Sequence, residues 1–442
     1  MNRERTYFAT HLALIVLACA GLGCGVIEML VSQATGSPPV EATPTVPLPP
    51  TMGPISTPTA SQSLPDADTP TPPPRSIFGP FTEAPSGSLP GAVDDVRAAP
   101  DGALWVGSDE GLSVLREGVW RPLSREPVII LGFDEASRAW TTDTSGDQVT
   151  VWSGQASRTF GAESGWAPIG HVSRDVPYAT VSDRLVTDAR GWSWLVTNQD
   201  VRVFDGEGWR IISPEEAGFT PSAEMVEMGF GFRLRDLAID SAGDLWVTDC
   251  AWGGPGPLGQ GARWTNGTAW EGQTSSVVGS GCIEDVEVDA AGRIWVTVDG
   301  NLWRYTPGQS WEEFAHPDVT LPEPLRWGYG VDLTLGSTET AWVTMAPCGG
   351  ASCDVGVYLL FRVREGSWTQ ISDAGTASLA LDQNGDGWLC VGNGLYRIRE
   401  DEPTLVHEGH AFTCRLEPDV AGQTWLWQPG SAGLWVTGGD SW

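Results

Sequence analysis

The sequence contains no lysine, so all 25 of its basic residues are arginine, against 56 aspartate and glutamate residues. The formal net charge of −31 repels phosphate backbones, which excludes nucleic acid as a partner. The absence of lysine also excludes chemistry that proceeds through a lysine Schiff base. The function classes that remain are a binding module and an enzyme that works with residues other than lysine.

Signatures of catalysis are missing as well. Of the five histidines only His407 and His410 are close together, in a HEGH segment without the spacing of a zinc-protease helix. The sequence has no GxSxG elbow, phosphate-binding loop or dinucleotide fingerprint. We therefore predict no catalytic residue, no metal site and no required cofactor, and an enzyme is the less favoured class.

Tryptophan is abundant, with 23 residues, and eight of them mark an internal repeat. The aligned residues are Trp105, Trp140, Trp194, Trp246, Trp295, Trp342, Trp388 and Trp425. Nine residues before each of them the residue is always aliphatic. Six copies have aspartate six residues before: Asp134, Asp188, Asp240, Asp289, Asp382 and Asp419. Six copies have glycine three residues before: Gly102, Gly191, Gly243, Gly292, Gly385 and Gly422.

Each copy predicts four short antiparallel strands in about 45 residues, because runs with β-type alternation are separated by glycine-bearing turns. No helical period occurs within the repeat. Radial repetition of four-stranded sheets defines a β-propeller, so the sequence predicts an all-β propeller of eight blades. Seven blades is the alternative, because the second copy is short and lacks the Asp-Gly turn.

Three copies read APDGALWVGSDEGL, DSAGDLWVTD and DAAGRIWVTVDGNL. They resemble the two-component-regulator type of propeller repeat, and more weakly the propeller of streptogramin lyases. The first resemblance implies an extracytoplasmic sensing module, often for glycans. The second implies a lyase or hydrolase that acts on a glycan or a small molecule.

The N-terminus predicts export. Two arginines precede a short apolar run, residues 12–22, and AGLGC resembles a lipoprotein cleavage site that makes Cys24 the lipidated residue. Cys19, or an uncleaved anchor, is the alternative. We therefore expect a bacterial lipoprotein at the cell surface or in the periplasm, attached to the membrane through its lipid.

Composition divides the chain into three parts. Residues 1–23 are predicted to be the signal peptide and residues 24–75 a proline- and threonine-rich linker, since 13 of the 33 prolines lie between residues 37 and 74. Residues 76–442 form the propeller domain, a predicted monomer. The last copy lacks its fourth strand, so we expect the apolar segment 76–82 to supply it and close the ring.

Long connections are predicted on one face only. We define the lower face as the side of the first-to-second and third-to-fourth turns, which are short, and the upper face as the other side. The upper connections carry the insertions, at residues 163–182, 214–232, 249–261, 316–330 and 346–355. Long loops on a rigid scaffold are typical binding sites, so the candidate ligand-binding residues are Trp252, Trp327, Tyr329 and Arg233. The loop aromatics, including Trp166, have an alternative role in pinning the loops to the propeller.

Ten residues before the repeat tryptophan, three successive copies have Asp236, Asp285 and Asp332. Side by side at the channel mouth they could bind a ligand or a hard cation such as Ca²⁺. The favoured alternative is that each aspartate caps backbone N–H groups of the next blade. The DQNGDG segment at residues 382–387 imitates the start of a calcium loop, but it also occupies the ordinary turn and lacks the downstream glutamate.

Six cysteines remain after export, an even number in an oxidising compartment, so disulfides are expected. The residues are Cys250, Cys282, Cys348, Cys353, Cys390 and Cys414. Position in the repeat favours pairing them in that order, two by two. The function predicted from the sequence is an anchored, sensor-like module that binds an extracellular ligand, a glycan or a protein through its upper face.

Overall fold

The computed structural model describes residues 81–84, 91–170, 172, 181, 184–219, 233–249, 261–265, 269–273, 283–298, 300–316, 327–336, 339–349, 352–353, 359–372, 377–382, 385–392, 394–400, 402–408, 414–431 and 433–437. All of them belong to one compact unit, Thr71–Trp442.

The described strands form eight antiparallel sheets, which we number as blades 1 to 8 in chain order. Blade 1 contains Val93–Ala98, Leu104–Ser108, Gly111–Arg116 and Val119–Ser124. Blade 2 contains Val128–Phe133, Ala139–Asp143, Val149–Ser153 and Ala156–Phe160, and is followed by the 3-10 turn Ala162–Ser164. Blade 3 contains Val186–Thr187, Ser193–Val196, Val201–Phe204 and Trp209–Ile212. Blade 4 contains Leu234–Ile239, Leu245–Asp249, Gly261–Thr265 and Ala269–Gln273.

The second half repeats the pattern. Blade 5 contains Ile283–Val288, Ile294–Val298, Asn301–Tyr305 and Trp311–Phe314. Blade 6 contains Trp327–Leu335, Thr340–Gly349, Leu359–Arg364 and Ser367–Ser372, with a fifth short strand, Ser352–Cys353, beside its second strand. Blade 7 contains Ala377–Leu381, Gly387–Val391, Gly394–Arg399 and Glu402–Glu408. The predicted all-β propeller of four-stranded antiparallel blades is confirmed.

Blade 8 combines the two ends of the chain. Its strands Arg415–Pro418, Thr424–Trp427 and Leu434–Thr437 are completed by Phe81–Glu83, which pairs antiparallel with the third of them. The pairing strand thus overlaps only the end of the predicted segment 76–82, whose first five residues lie outside the described part of the chain. On its other side blade 8 meets blade 1, where the backbone N–H of Val93 donates to the carbonyl of Ser431 at 2.8 Å.

The core consists of apolar clusters at the seams between consecutive blades, not of one central cluster. Trp246 of blade 4, for example, packs with Val286 and Ile294 of blade 5. The same arrangement joins blade 8 to blade 1, where Trp425 and Val96 share a cluster. Because the second strand of a blade has a neighbouring blade on both faces, it is almost entirely buried where its side chains are described, as in LWVGS and IWVTV.

The first strand of each blade lies nearest the centre of the ring, since first strands of consecutive blades contact one another. Arg184 of blade 3 shows how closely these strands converge: its guanidinium reaches past blade 4 and donates to a carboxylate oxygen of Glu287 in blade 5 at 2.7 Å.

The aspartate six residues before the repeat tryptophan has a second role that sequence reasoning missed. Its Oδ1 accepts backbone N–H bonds within the turn, as predicted from the Asp-x-x-Gly pattern. Its Oδ2 accepts the indole N–H of the tryptophan at 2.9–3.0 Å in five blades, with Asp134, Asp188, Asp240, Asp289 and Asp419 as acceptors. The carboxylate therefore satisfies a donor that burial would otherwise leave without a partner.

Blades 1 and 6 lack this carboxylate, because Ala99 and Gly336 occupy the position. Their turn has the same backbone bond as in the other blades: the N–H of Ala99 donates to Ala103, and the N–H of Gly336 donates to Thr340, both at 2.8 Å. Among the residues described, the buried indole nitrogens of Trp105 and Trp342 have no hydrogen-bond partner.

We expect Gly336→Asp to stabilise the protein. A Cβ atom placed on Gly336 would lie 3.5 Å from the indole nitrogen of Trp342 and at ordinary contact distance from Thr340. The new carboxylate would accept the unpartnered N–H, which contributes about 1.5–3 kcal/mol for a bond to a charged group. Thermal unfolding of the variant measures this gain.

Gly336→Ala is the matched control. It removes glycine's extra freedom in the unfolded chain, worth about 0.4–1 kcal/mol, without adding an acceptor. If the aspartate variant is no more stable than the alanine variant, the indole bond does not form.

Candidate functional site

At the upper end of blade 6 the structure has long strands where the sequence predicted loops. Trp327–Leu335 has 9 residues and Thr340–Gly349 has 10, whereas the first and second strands of the other blades have 2 to 6. Parts of both predicted loops, residues 327–330 and 346–349, are therefore strand. The prediction of irregular loops here was wrong, because cross-strand pairing continues past the rim of the ring.

Register places two of the candidate residues on the first strand of this extension. Trp327 is paired with Cys348, Tyr329 with Ala346, and Cys348 in turn with Cys353 on the short fifth strand. Residues directly opposite in antiparallel strands are close neighbours, so the extension brings these five backbone positions together.

Of the other two candidate aromatic and basic residues, only Arg233 belongs to the described part of the chain. Arg233 is exposed immediately before the first strand of blade 4, and its backbone N–H donates to Oδ1 of Asp249 at 3.3 Å. Trp252 falls outside the described residues, so its place in a site stays a prediction.

Trp166 pins its loop to the propeller, which was the alternative role considered for the loop aromatics. Its side chain is 1 % exposed, and the indole N–H donates to the carbonyl of Gly146 at 3.1 Å. The guanidinium of Arg202 lies 4.3 Å from the centre of its ring. The start of the next insertion is anchored in the same way, since Phe219 is buried in the cluster between blades 3 and 4.

The aspartates at the inner strands cap the next blade, as the favoured alternative predicted. Oδ2 of Asp236 accepts the backbone N–H of Val286 at 3.2 Å, and Oδ2 of Asp285 accepts that of Leu333 at 2.6 Å. The same kind of bond recurs at two other seams, where the N–H of Ile130 donates to Asp95 and the N–H of Leu416 donates to Ser378. Asp236 and Asp285 are both 7 % exposed, so their contacts are those of a seam and not those of an open binding surface.

Charge is unbalanced at this seam. Burial raises the pKa of Asp285 well above its usual range, and the adjacent carboxyl of Asp236 raises it further. The positive charge of Arg184 lowers the pKa of Asp285, whereas the exposed Asp332 raises it by a smaller amount. Asp285 is therefore a buried carboxyl whose protonated form is favoured.

Within the described residues no group of three or more histidine, cysteine, aspartate or glutamate side chains has an arrangement suited to a metal ion. In the predicted calcium-like segment, Oδ1 of Asp382 accepts the N–H of Asp386, and Oδ1 of Asp386 accepts that of Glu400. Asp382 thus contributes to the ordinary turn, and Asp386 links it to the next turn on the same side of the blade.

Cys390 and Cys414 form a disulfide between blades 7 and 8, with their Cα atoms 5.9 Å apart. This predicted pair is confirmed. Cys348 and Cys353 are opposite each other in adjacent strands, a register position compatible with the predicted pairing. Cys250 and Cys282 lie outside the described residues, and their pairing stays a prediction.

A cleft on the lower face was not predicted. It has a volume of about 240 Å³ at the seam of blades 5 and 6, and its lining includes Trp295, Phe314 and Glu365. Arg304 crosses it, 5.0 Å from the centre of each ring, and pairs with Glu339 and Glu312. Hydrogen bonds from Arg293 and Arg304 hold the pKa of Glu339 below its usual range. The cleft combines residues of blade 5 with Glu339 and Glu365 of blade 6, so no single local motif predicts it.

No helix within the described residues is long and apolar enough to cross a membrane. The fold and these contacts define a class, that of an all-β propeller with one extended blade. No family model matches the sequence, and no curated protein matches it.

Several solved structures are similar to this chain at low identity. The extracellular domain named as part of a one-component system of B. thetaiotaomicron has 16% identity and a TM-score of 0.43, with 81% of this chain and 40% of that chain covered. An extracellular domain named as part of a hybrid two-component system of B. thetaiotaomicron has 14% identity and a TM-score of 0.24, with 75% and 48% covered. Virginiamycin B lyase from Staphylococcus aureus has 12% identity and a TM-score of 0.46, with 71% and 97% covered. This chain thus spans less than half of the first two proteins.

Proposed function

We propose that this protein is an exported, membrane-anchored propeller that binds an extracellular ligand, a glycan or a protein, as a sensor-like module. The observation that supports it best is the extension of blade 6. The hairpin of the first and second strands of blade 6 is longer than those described in the other blades, and it carries two of the predicted binding residues. In this proposal Cys24 is the lipid attachment site and the eight blades form one ring, closed by Phe81–Glu83.

The length of the extension can be measured along the chain. Trp327 lies 15 residues before the repeat tryptophan of its blade, whereas the first strands of blades 1, 2, 4 and 5 begin 12 residues before theirs. Three additional residues at about 3.4 Å each extend the strand by roughly 10 Å. A paired hairpin loses less conformational freedom on binding than a loop, so it favours affinity.

The extension carries two aromatic residues, Trp327 and Tyr329, which in this proposal contact a sugar ring or a protein side chain. Aromatic residues dominate the binding energy of many interfaces because they bury much apolar area with few rotatable bonds. The pairing proposed for Cys348 and Cys353 would fix the end of the same hairpin.

We expect Trp327→Ala and Tyr329→Ala each to weaken binding at least tenfold, because loss of an aromatic anchor typically costs about 2 kcal/mol or more. The measurement is binding of the purified chain to a glycan microarray and to surface proteins cross-linked on intact cells, followed by titration of each hit. Trp252→Ala is expected to act in the same direction.

Ala290→Glu is the control, since Ala290 is exposed in a lower-face turn of blade 5. It adds charge without touching the upper face and should leave both binding and unfolding unchanged. A ligand footprint on the lower face, including the cleft at the seam of blades 5 and 6, would contradict the proposal. The alternative function, a lyase or hydrolase, has no observation in the described residues that favours it.

A further inference from the structure

Two buried carboxyls lie at the seam of blades 4 and 5. Asp236 and Asp285 come from the first strands of these blades, 49 residues apart in sequence, and Oδ2 of Asp236 lies 3.2 Å from the backbone nitrogen of Val286, the residue next to Asp285. Oδ1 of Asp285 is buried and, among the residues described, has no hydrogen-bond donor. A carboxylate oxygen buried without a donor carries a desolvation cost that protonation of the carboxyl removes.

The other oxygens of the pair are already used. Oδ2 of Asp236 accepts the N–H of Val286, and Oδ2 of Asp285 accepts the N–H of Leu333. Each carboxyl thus joins its own blade to the next one, and the two bonds link blades 4, 5 and 6 in series. Blade 6 is the blade that carries the extended hairpin.

The surrounding charges do not neutralise the pair. From blade 3, Nε of Arg184 lies 3.6 Å from Oδ1 of Asp236, but its NH2 group is committed to Glu287 at 2.7 Å. From blade 6, Asp332 contributes a further negative charge. In the described part of the chain, Asp236 and Asp332 repel an ionised Asp285 while Arg184 attracts it, and like charges at close range cannot all be ionised without a large free-energy cost.

We propose that Asp236 and Asp285 form a proton-binding site that ties blades 4, 5 and 6 together in acid and loosens this seam as the pH rises. One proton from the solvent occupies the space between the two carboxyls, so that Asp285 donates an O–H bond to Asp236 while its other oxygen keeps the N–H of Leu333. Loss of the proton leaves two like charges in contact, and their repulsion weakens both bonds between blades. This role goes beyond ligand binding, because it makes the stability of the seam depend on the pH of the surrounding solution.

The effect of pH on stability has a definite sign. The pKa of Asp285 is raised in the folded protein, so the stabilisation is complete below the ordinary aspartate pKa of about 3.9 and is lost as the pH rises through the raised value. Asp285→Asn mimics the protonated side chain: its amide oxygen can accept the N–H of Leu333, and its NH2 group can donate to Asp236.

The test compares thermal unfolding of the full wild-type chain and of Asp285→Asn from pH 4 to pH 8. We expect the variant to melt several degrees above the wild type at pH 8 and the difference to disappear towards pH 4. Infrared difference spectra give a second readout that does not require a stable variant: the wild type should show a protonated carboxyl band near neutral pH, and Asp285→Asn, or Asp236→Asn if the first does not fold, should lose it. A pH-independent difference, or no such band, overturns the proposal.

Asp95→Asn is the matched control. Asp95 stands in the same position of blade 1 and accepts the N–H of Ile130, but its other oxygen, Oδ1, is paired with Nε of Arg97 at 3.2 Å. This variant should not gain stability at pH 8. Calcium chloride provides the last arm: if it raises the melting temperature of the wild type at pH 8 and not that of Asp285→Asn, the site holds a divalent cation, and the assignment to a proton is wrong. Neither result depends on the ligand of the upper face, so this proposal and the binding function fail separately.

Discussion

Phe81→Ala should lower the free energy of unfolding by about 3–5 kcal/mol, the usual cost of truncating a buried phenylalanine. Phe81 is fully buried between blades 7 and 8, with its ring centre 4.8 Å from that of Trp388. It is the first residue of a strand with only three paired positions, so its loss should also release the strand. The exposed edge of Leu434–Thr437 would then be available for aggregation. Chemical denaturation measures the loss.

Val119→Ala is the control for this prediction, because Val119 lies in the outermost strand of blade 1 and is 55% exposed. It should change stability by less than about 0.5 kcal/mol. Deletion adds an independent comparison: a chain that begins at residue 75 should melt like the full chain, whereas a chain that begins at residue 85 should melt far below it. Equal melting of the two shortened chains would show that the N-terminal strand does not close the ring.

Loss of the Cys390–Cys414 disulfide should be the second large effect. The bond closes a loop between residues 24 apart and joins the buried second strand of blade 7 to the start of blade 8. For a loop of this length the chain-entropy model gives about 3 kcal/mol of stabilisation through the unfolded state. The double variant Cys390→Ala and Cys414→Ala should therefore melt well below the wild type under oxidising conditions.

Reduction separates this effect from the small cavities that the alanines create. Dithiothreitol should lower the melting temperature of the wild type by more than that of the double variant, and the excess is the contribution of this bond. An equal response of the two proteins would mean that the Cys390–Cys414 bond contributes nothing to stability, whatever the other cysteines do.

The candidate site was predictable only in part. The upper face and the positions of Trp327 and Tyr329 follow from connection lengths in the repeat, because a meander fixes which turns share a side. The continuation of the blade 6 strands was not predictable, since WGYG is rich in glycine and reads as a loop until its partner, residues 345–348, is known. The role of Trp166 was equally ambiguous, because nothing in its local sequence distinguishes a residue that anchors a loop from one that binds a ligand.

The sequence by itself determined the propeller. A tryptophan with an aliphatic residue nine positions before it and a turn between them has to be buried on both faces of a strand, and eight such copies require radial packing of sheets. Only the tertiary structure decided what the polar residues do. Asp236, Asp285 and Arg184 belong to three different blades, and the lower-face cleft joins residues of two. Interactions of this kind depend on distances between chain segments about 50 residues apart. A periodic pattern does not contain those distances, because each copy specifies its own sheet and not the charges of the neighbouring blade.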